Sequence, residues 1–141
     1  MKRVVLWALI ALPSAIQAQN ITRRDSLQGG LPFERTCYNV LHYTLDVKID
    51  PDKRYISGYN EISFAVNENT SRIQLDLFEN MQVDSILHNG MKLDYKREYD
   101  AIFVSFKEAL AKASEHSLRF YYSGNPRVAK NAPWDGGMVF S

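Results

Sequence analysis

One cysteine, three histidines and no surplus of either charge are what this 141-residue chain offers, and each shortage closes off a class of protein. Cys37 stands alone, so no internal disulfide can form and the chain is not a disulfide-stapled domain. It reads as a small buried hydrophobe at a strand start in preference to a reactive thiol. Lys and Arg number 17 against 16 Asp and Glu, a net charge of +1; that balance argues against nucleic-acid binding, which needs a basic face for phosphates. A zincin active site needs two histidines four apart on a helix with a glutamate beside the first. His42, His88 and His116 have no such spacing, and Glu115-His116 runs on into Ser117-Leu118-Arg119; all three are expected at the surface. No G-x-S-x-G elbow occurs, and Gly136-Gly137 lacks the Lys-Ser or Lys-Thr of a phosphate loop. Asp50 and Asp52 flank Pro51, but turn carboxylates ordinarily bond local backbone, and a lone pair does not make a calcium loop. No catalytic, cofactor-binding or metal-ligating residue is therefore assigned, and there is no internal repeat.

What is present begins with an export signal. Lys2 and Arg3 precede a short apolar run from Val4 to Leu12, Pro13 breaks it, and Ala18 supplies the small residue a signal peptidase requires. The run is far below the ~20 residues that span a bilayer. Residues 1–18 are thus expected to be a signal peptide, placing the chain in a secreted or periplasmic setting with no membrane span after cleavage. Removal takes away Lys2 and Arg3 and no acid, moving the net charge from +1 to −1. Residues 19–36, polar, with Gly29-Gly30 and Pro32 and no period, read as a flexible lead-in. Asn20-Ile21-Thr22 and Asn69-Thr70-Ser71 match glycosylation sequons.

From residue 37 the pattern is one of strands. Tyr43, Leu45, Val47 and Ile49 alternate with His42, Thr44, Asp46 and Lys48, which puts the apolar set on one face. Asp50-Pro51-Asp52-Lys53 is turn chemistry. The return run carries Ile56, Gly58, Asn60, Ile62, Phe64 and Val66 on one side and Tyr55, Ser57, Tyr59, Glu61, Ser63 and Ala65 on the other. Gly58 would weaken an isolated strand, so it marks a bulge or the close approach of another backbone. Ile73–Leu77 and Met81–Leu87 give further strands. Asn89-Gly90 is the strongest hairpin signal in the chain, with Met91, Leu93 and Tyr95 as one return strand. Ile102, Val104 and Phe106 alternate again, "KEALAKA" from Lys107 reads as a helical turn in a connection, and Leu118, Phe120 and Tyr122 precede Gly124-Asn125-Pro126. About seven short strands with turns between them predict an all-β fold, a curved antiparallel sheet or β-sandwich with one covered face. Met138-Val139-Phe140 look like the start of another strand.

Two groups of residues could bind something. Tyr38, Tyr43, Tyr55, Tyr59, Tyr121 and Tyr122 could form an aromatic platform for sugars, although aromatics in strands more often serve sheet packing. Trp134, in the loop with Asp135, Gly136 and Gly137, is either a lid on the domain's own core or an anchor for a neighbouring surface.

The hairpin "HYTLDVKIDPDKRYISGYNEISF", residues 42–64, resembles the start of the N-terminal domain of zinc aminopeptidases of the aminopeptidase N and leukotriene hydrolase family. His42-Tyr43, Leu45-Asp46, Ile49-Asp50, Ile56-Ser57-Gly58, Ile62 and Phe64 carry the likeness. "LRFYYSGNP", residues 118–126, is similar to that family's L-x-(I/F)-x-Y-x-G-x-P strand end, and "PWDGG", residues 133–137, to a variant of secreted bacterial members. The resemblance implies that residues 37–141 are a saddle-shaped β domain, incomplete at its C-terminal side, whose partner is a thermolysin-like catalytic domain of the same polypeptide. Zinc and peptide substrates would be bound only through that domain. It also implies that Trp134, Asp135, Gly136 and Gly137 contact the catalytic domain. The alternative is a free-standing secreted β-sandwich that binds a protein or glycan. The signal reading has a direct check: N-terminal sequencing of exported protein should begin at Gln19, and an intact Met1 would overturn it.

Overall fold

The computed structural model describes residues 21–132 and 134–140; the signal-peptide reading of residues 1–18 lies outside them. Ten elements follow one another: α1 (Arg23–Gly29), α2 (Phe33–Thr36), β1 (Tyr38–Asp50), β2 (Tyr55–Val66), β3 (Thr70–Asp76), β4 (Met81–His88), β5 (Met91–Lys92), β6 (Asp94–Glu98), β7 (Ala101–Leu110) and β8 (Glu115–Gly124). They form a five-stranded sheet of order β1-β2-β8-β4-β5 and a three-stranded sheet of order β3-β7-β6. Every strand pairing is antiparallel. The all-β reading therefore holds, and the fold is a two-layer sandwich of unequal sheets.

The core lies between the layers. Ile62, Phe64 and Val66 of β2, Val83 and Ile86 of β4, and Leu118 and Phe120 of β8 meet Ile73 and Leu75 of β3 and Ile102, Val104 and Phe106 of β7. Burial of each such side chain is worth about 1.5–3 kcal/mol. Cys37, fully buried, joins this cluster, as its solitary apolar character implied. The chain changes sheets through Leu93, whose amide still donates to Ile86 of β4 (2.9 Å) while its side chain enters the core. The single return strand expected over 91–95 is thus two strands, β5 in the large sheet and β6 in the small one. Arg97 of β6 anchors the crossing from β3 to β4 by donating to the carbonyls of Leu77, Phe78, Met81 and Tyr99.

Three further expectations are corrected. Residues 23–36 are not a flexible lead-in but two short helices laid on the outer face of the small sheet. Thr22 caps α1, its hydroxyl accepting from the Asp25 amide while the Asp25 carboxylate accepts from the Thr22 amide, a reciprocal box that fixes the first turn. Leu27 then packs on Ala101 and Phe103, and Arg23–Glu98, Arg24–Glu79, Arg35–Asp76 and Glu34–Arg72 ion pairs tie the segment down. Residues 107–110 continue β7 instead of turning helically. A helix of two turns has too little to sustain it, and the extended chain brings Leu110 opposite Thr70 and into the core. Met138 to Phe140 form no strand among the described residues; Met138 makes one isolated bridge to Val128.

The β1–β2 hairpin has a discontinuity that sets its faces. Val40 pairs with Phe64 and His42 with Ser63, so Leu41 is an extra residue, a β-bulge. Before it, Tyr38 and Val40 point inward beside the core. After it, inward-facing parity passes to Tyr43, Leu45, Val47 and Ile49, which lie opposite Ile62, Asn60, Gly58 and Ile56. Gly58 has φ +157°, and a Cβ there would lie 2.0 Å from the Asp46 carbonyl oxygen, the close backbone approach its position suggested. Asn89 and Gly90 have φ of 51° and 77°, the left-handed pair of a type I′ turn. The two glycines should respond differently. Gly90→Ala meets open space and should cost about 1 kcal/mol from left-handed strain, whereas Gly58→Ala adds a backbone clash and should cost at least ~2 kcal/mol. Urea unfolding of both variants checks the order.

Candidate functional site

The large sheet is wider and longer than the small sheet that covers it, and its uncovered part is apolar. Beyond the bulge, Tyr43, Leu45, Val47 and Ile49 are 53%, 64%, 37% and 56% exposed, although they stand on the same face as buried Ile62 and Phe64. The covered face read from the alternation is therefore covered only over its inner half. Uncovered apolar stripes of this kind are characteristic of interaction surfaces.

At the root of the stripe, where the small sheet ends, is a cleft of about 390 Å³ lined by Leu31, Arg35, Tyr38, Tyr43, Asn60, Ile62, Gln74, Leu75, Asp76 and Phe120. Its polar groups are partly spoken for. The Tyr38 hydroxyl donates to the Gln74 carbonyl (2.7 Å), and burial pushes that phenol well above its ordinary titration range. Gln74 Nε2 donates to the Leu27 carbonyl and to Asp76. Arg35 donates to the Leu27 carbonyl (2.8 Å) and to Asp76 (2.5 Å). Three buried side-chain atoms among the described residues have no partner in the chain: Arg35 Nε, Asn60 Oδ1 and Gln74 Oε1. All three residues line this one cleft. Buried polar atoms are ordinarily satisfied, and three residues that each carry an unpartnered one border this cleft. Sequence reasoning singled out none of these residues, although Asn60, between Gly58 and Ile62 on one face of β2, is a polar interruption of an apolar set.

The loop after β8 is ordered by its own backbone. Asp135 accepts from the Lys130 and Asn131 amides (2.7 and 2.8 Å), bonds that hold its carboxyl below the usual range. Across the loop base the Ala129 amide donates to the Met138 carbonyl (3.1 Å) and the Met138 amide to the Arg127 carbonyl (2.8 Å). Gly137 has φ +150°, and a Cβ there would meet the Ala129 nitrogen at 2.6 Å. Trp134, held out from this frame, is 89% exposed. Of the two readings of Trp134, a lid on the domain's own core is thereby excluded.

The remaining candidates sort by face. Tyr38, Tyr43 and Tyr122 register with the inner face and Tyr55, Tyr59 and Tyr121 with the outer one, so the six tyrosines do not share one platform. Tyr59 and Tyr121 pack at 5.2 Å, with Arg119 over the Tyr59 ring and paired to Glu61, which is sheet packing. Asp50 accepts from the Lys53 amide and pairs with its ammonium, closing its own turn. His42 is exposed, but His88 and His116 are not surface histidines as expected. They are half-buried neighbours, His88 Nε2 lying 3.3 Å from His116 Nδ1. Their strands are separated in sequence and adjacent in space, which no local spacing could reveal. Among the described residues no group of three or more His, Cys, Asp or Glu is placed to hold a metal ion.

The two antiparallel sheets match the all-β N-terminal domain of M1 zinc peptidases. Against an M1 zinc metallopeptidase of Deinococcus radiodurans, solved with a Tyr-Ser-Ala substrate, it is 25% identical, with a TM-score of 0.60 over 68% of this chain and 22% of that one. A two-domain M1 zinc metallopeptidase bound to arginine gives a TM-score of 0.61 at 22% identity, over 75% and 25% of the two chains. Yeast LTA4 hydrolase shares the fold at 19% identity and a TM-score of 0.52, over 62% and 14%. This chain thus spans about a fifth of the length of the metallopeptidase it matches. No family model and no curated protein matches the sequence.

The histidine pair yields a pH prediction. Burial, and then the neighbouring His116, hold His88 below its ordinary value of 6.5. The unfolded chain therefore takes up a proton at higher pH than the folded one, and stability is retained above about pH 6.5 and lost as pH falls through the lowered folded value. Thermal unfolding between about pH 7.5 and 5 should show the melting temperature falling on acidification, and His88→Gln should flatten that slope.

Proposed function

We propose that this chain is the non-catalytic N-terminal β domain of a secreted or periplasmic zinc aminopeptidase-like protein. Its role is to support and partly wall the active site of a thermolysin-like domain elsewhere in the polypeptide. Zinc and the peptide substrate belong to that domain. One observation carries the reading: the apolar face of Tyr43, Leu45, Val47 and Ile49 continues the core beyond its cover and ends in a cleft bordered by Arg35, Asn60 and Gln74, each with an unpartnered buried polar atom. That combination suits a face made to be covered by more protein. Trp134, exposed on a loop braced by Asp135 and Gly137, supplies a second anchor of the kind that dominates interfaces, and Gly136 lies in the same loop. The M1 likeness supports the identity of the covering partner.

The test has two arms. The purified chain should hydrolyse no aminoacyl anilide, with or without added zinc; turnover abolished by a chelator would overturn the non-catalytic role. Sedimentation should show concentration-dependent self-association that Leu45→Lys with Val47→Lys suppresses, because these two side chains leave an apolar stripe open. A monomer with a reversible transition above ~65 °C, the upper end for ordinary domains, would instead favour the free-standing sandwich that binds a protein or glycan.

A further inference from the structure

At the end of the sandwich opposite the overhang, His88 closes β4 and His116 opens β8, registered with buried Leu118 and Phe64 respectively. Both rings are held by aromatic neighbours, His88 edge-on to Phe106 at 5.3 Å and His116 tilted against Phe64 at 5.8 Å. They line a cavity of about 530 Å³ with Met91, Leu93 and Leu110. The hydrogen bonds here determine the tautomers. Ser114 Oγ lies 2.5 Å from the Ala111 carbonyl oxygen, which can only accept, so the single hydroxyl proton is spent there. Ser114 Oγ must then accept from His116 Nε2–H at 2.8 Å, which leaves His116 Nδ1 with a bare lone pair. That lone pair faces His88 Nε2 at 3.3 Å.

We propose that His88 Nε2 and His116 Nδ1 jointly bind one divalent first-row transition ion, with water from the cavity completing its coordination. The separation is the first reason. Two nitrogens about 2.0–2.1 Å from one tetrahedral ion lie about 3.3–3.4 Å apart, the distance found. The orientation is the second. A ligating histidine characteristically passes its remote N–H to a fixed acceptor, as His116 does through Ser114 to the Ala111 carbonyl. On binding, the His88 ring proton leaves Nε2 and a proton is taken up at Nδ1, so both ligands are neutral imidazoles and no net proton is released. Imidazole donors select Cu²⁺, Ni²⁺ and Zn²⁺ over Ca²⁺ and Mg²⁺. With two protein ligands in place of the three of a catalytic zinc, the ion would brace β4 against β8 and not hydrolyse peptides.

The probe is Ni²⁺ added to the whole chain, followed by NMR of the imidazole rings. Paramagnetic broadening should erase the His88 and His116 signals before those of exposed His42. Zn²⁺ should raise the melting temperature where Ca²⁺ does not, as expected for an ion bound by the folded state alone. His88→Gln and His116→Gln should each weaken Ni²⁺ binding by about tenfold or more, comparable to or beyond the loss of a supporting partner, and His42→Gln should not. Broadening that starts at His42 or spreads without preference, or affinity unchanged in both pair variants, would overturn the site. The first arm uses the unaltered chain and so does not depend on either variant folding.

Discussion

Strand β7 carries apolar side chains on both faces, and both have to be kept from water. Ile102, Val104 and Phe106 face the large sheet, while Ala101 and Phe103 face away from it. The first requirement closes the sandwich. The second is met by Leu27, which explains why a polar segment with a helical content too short to persist in water folds at all. Its capping box and ion pairs orient it, but exposed pairs of this kind contribute at most about 1 kcal/mol each. The burial of Leu27 against β7 is the term that fixes its place.

The two sheets are mismatched in size, and the mismatch is where the interaction surface arises. Three strands cannot cover five, so the distal β1–β2 hairpin runs past its cover. The bulge at Leu41 decides which side chains this leaves in solvent: without the extra residue, Tyr43, Leu45, Val47 and Ile49 would face the opposite side and the inner face would carry His42, Thr44, Asp46 and Lys48 instead. One inserted residue thus keeps the apolar set continuous with the core while half of it lies uncovered. The cleft with Arg35, Asn60 and Gln74 sits at the boundary between covered and uncovered sheet, the place where a further layer would have to dock. At the other end of the same face lies the histidine pair, so the two ends differ in chemistry: one apolar, one imidazole-lined.

Much of the fold was legible because strands and turns are written locally. Period-two alternation located the core-facing sets of β2, β3, β7 and β8, and Asn89-Gly90 and Asp50-Pro51 located the turns. The parity change at Leu41 was also in the sequence, since apolar residues sit at 38 and 40 and then at 43, 45, 47 and 49. The "TRRD" cap of α1 was likewise readable but was masked by the glycines and proline around it.

The sequence by itself determined the all-β class, the hairpin turns, the burial of Cys37 and the likeness to zinc aminopeptidase N-terminal domains, because each depends on residues close together along the chain or on motifs in order. Tertiary structure alone decided the extension of β7 through residues 107–110, where the pairing of Leu110 with Thr70 and its burial overrode helical propensity, and the split of 91–98 between two sheets. It also decided which apolar face stays open, and that His88 and His116 meet. These depend on which strands become neighbours, and that is set by the simultaneous burial of side chains distant in sequence, a constraint that no local window contains.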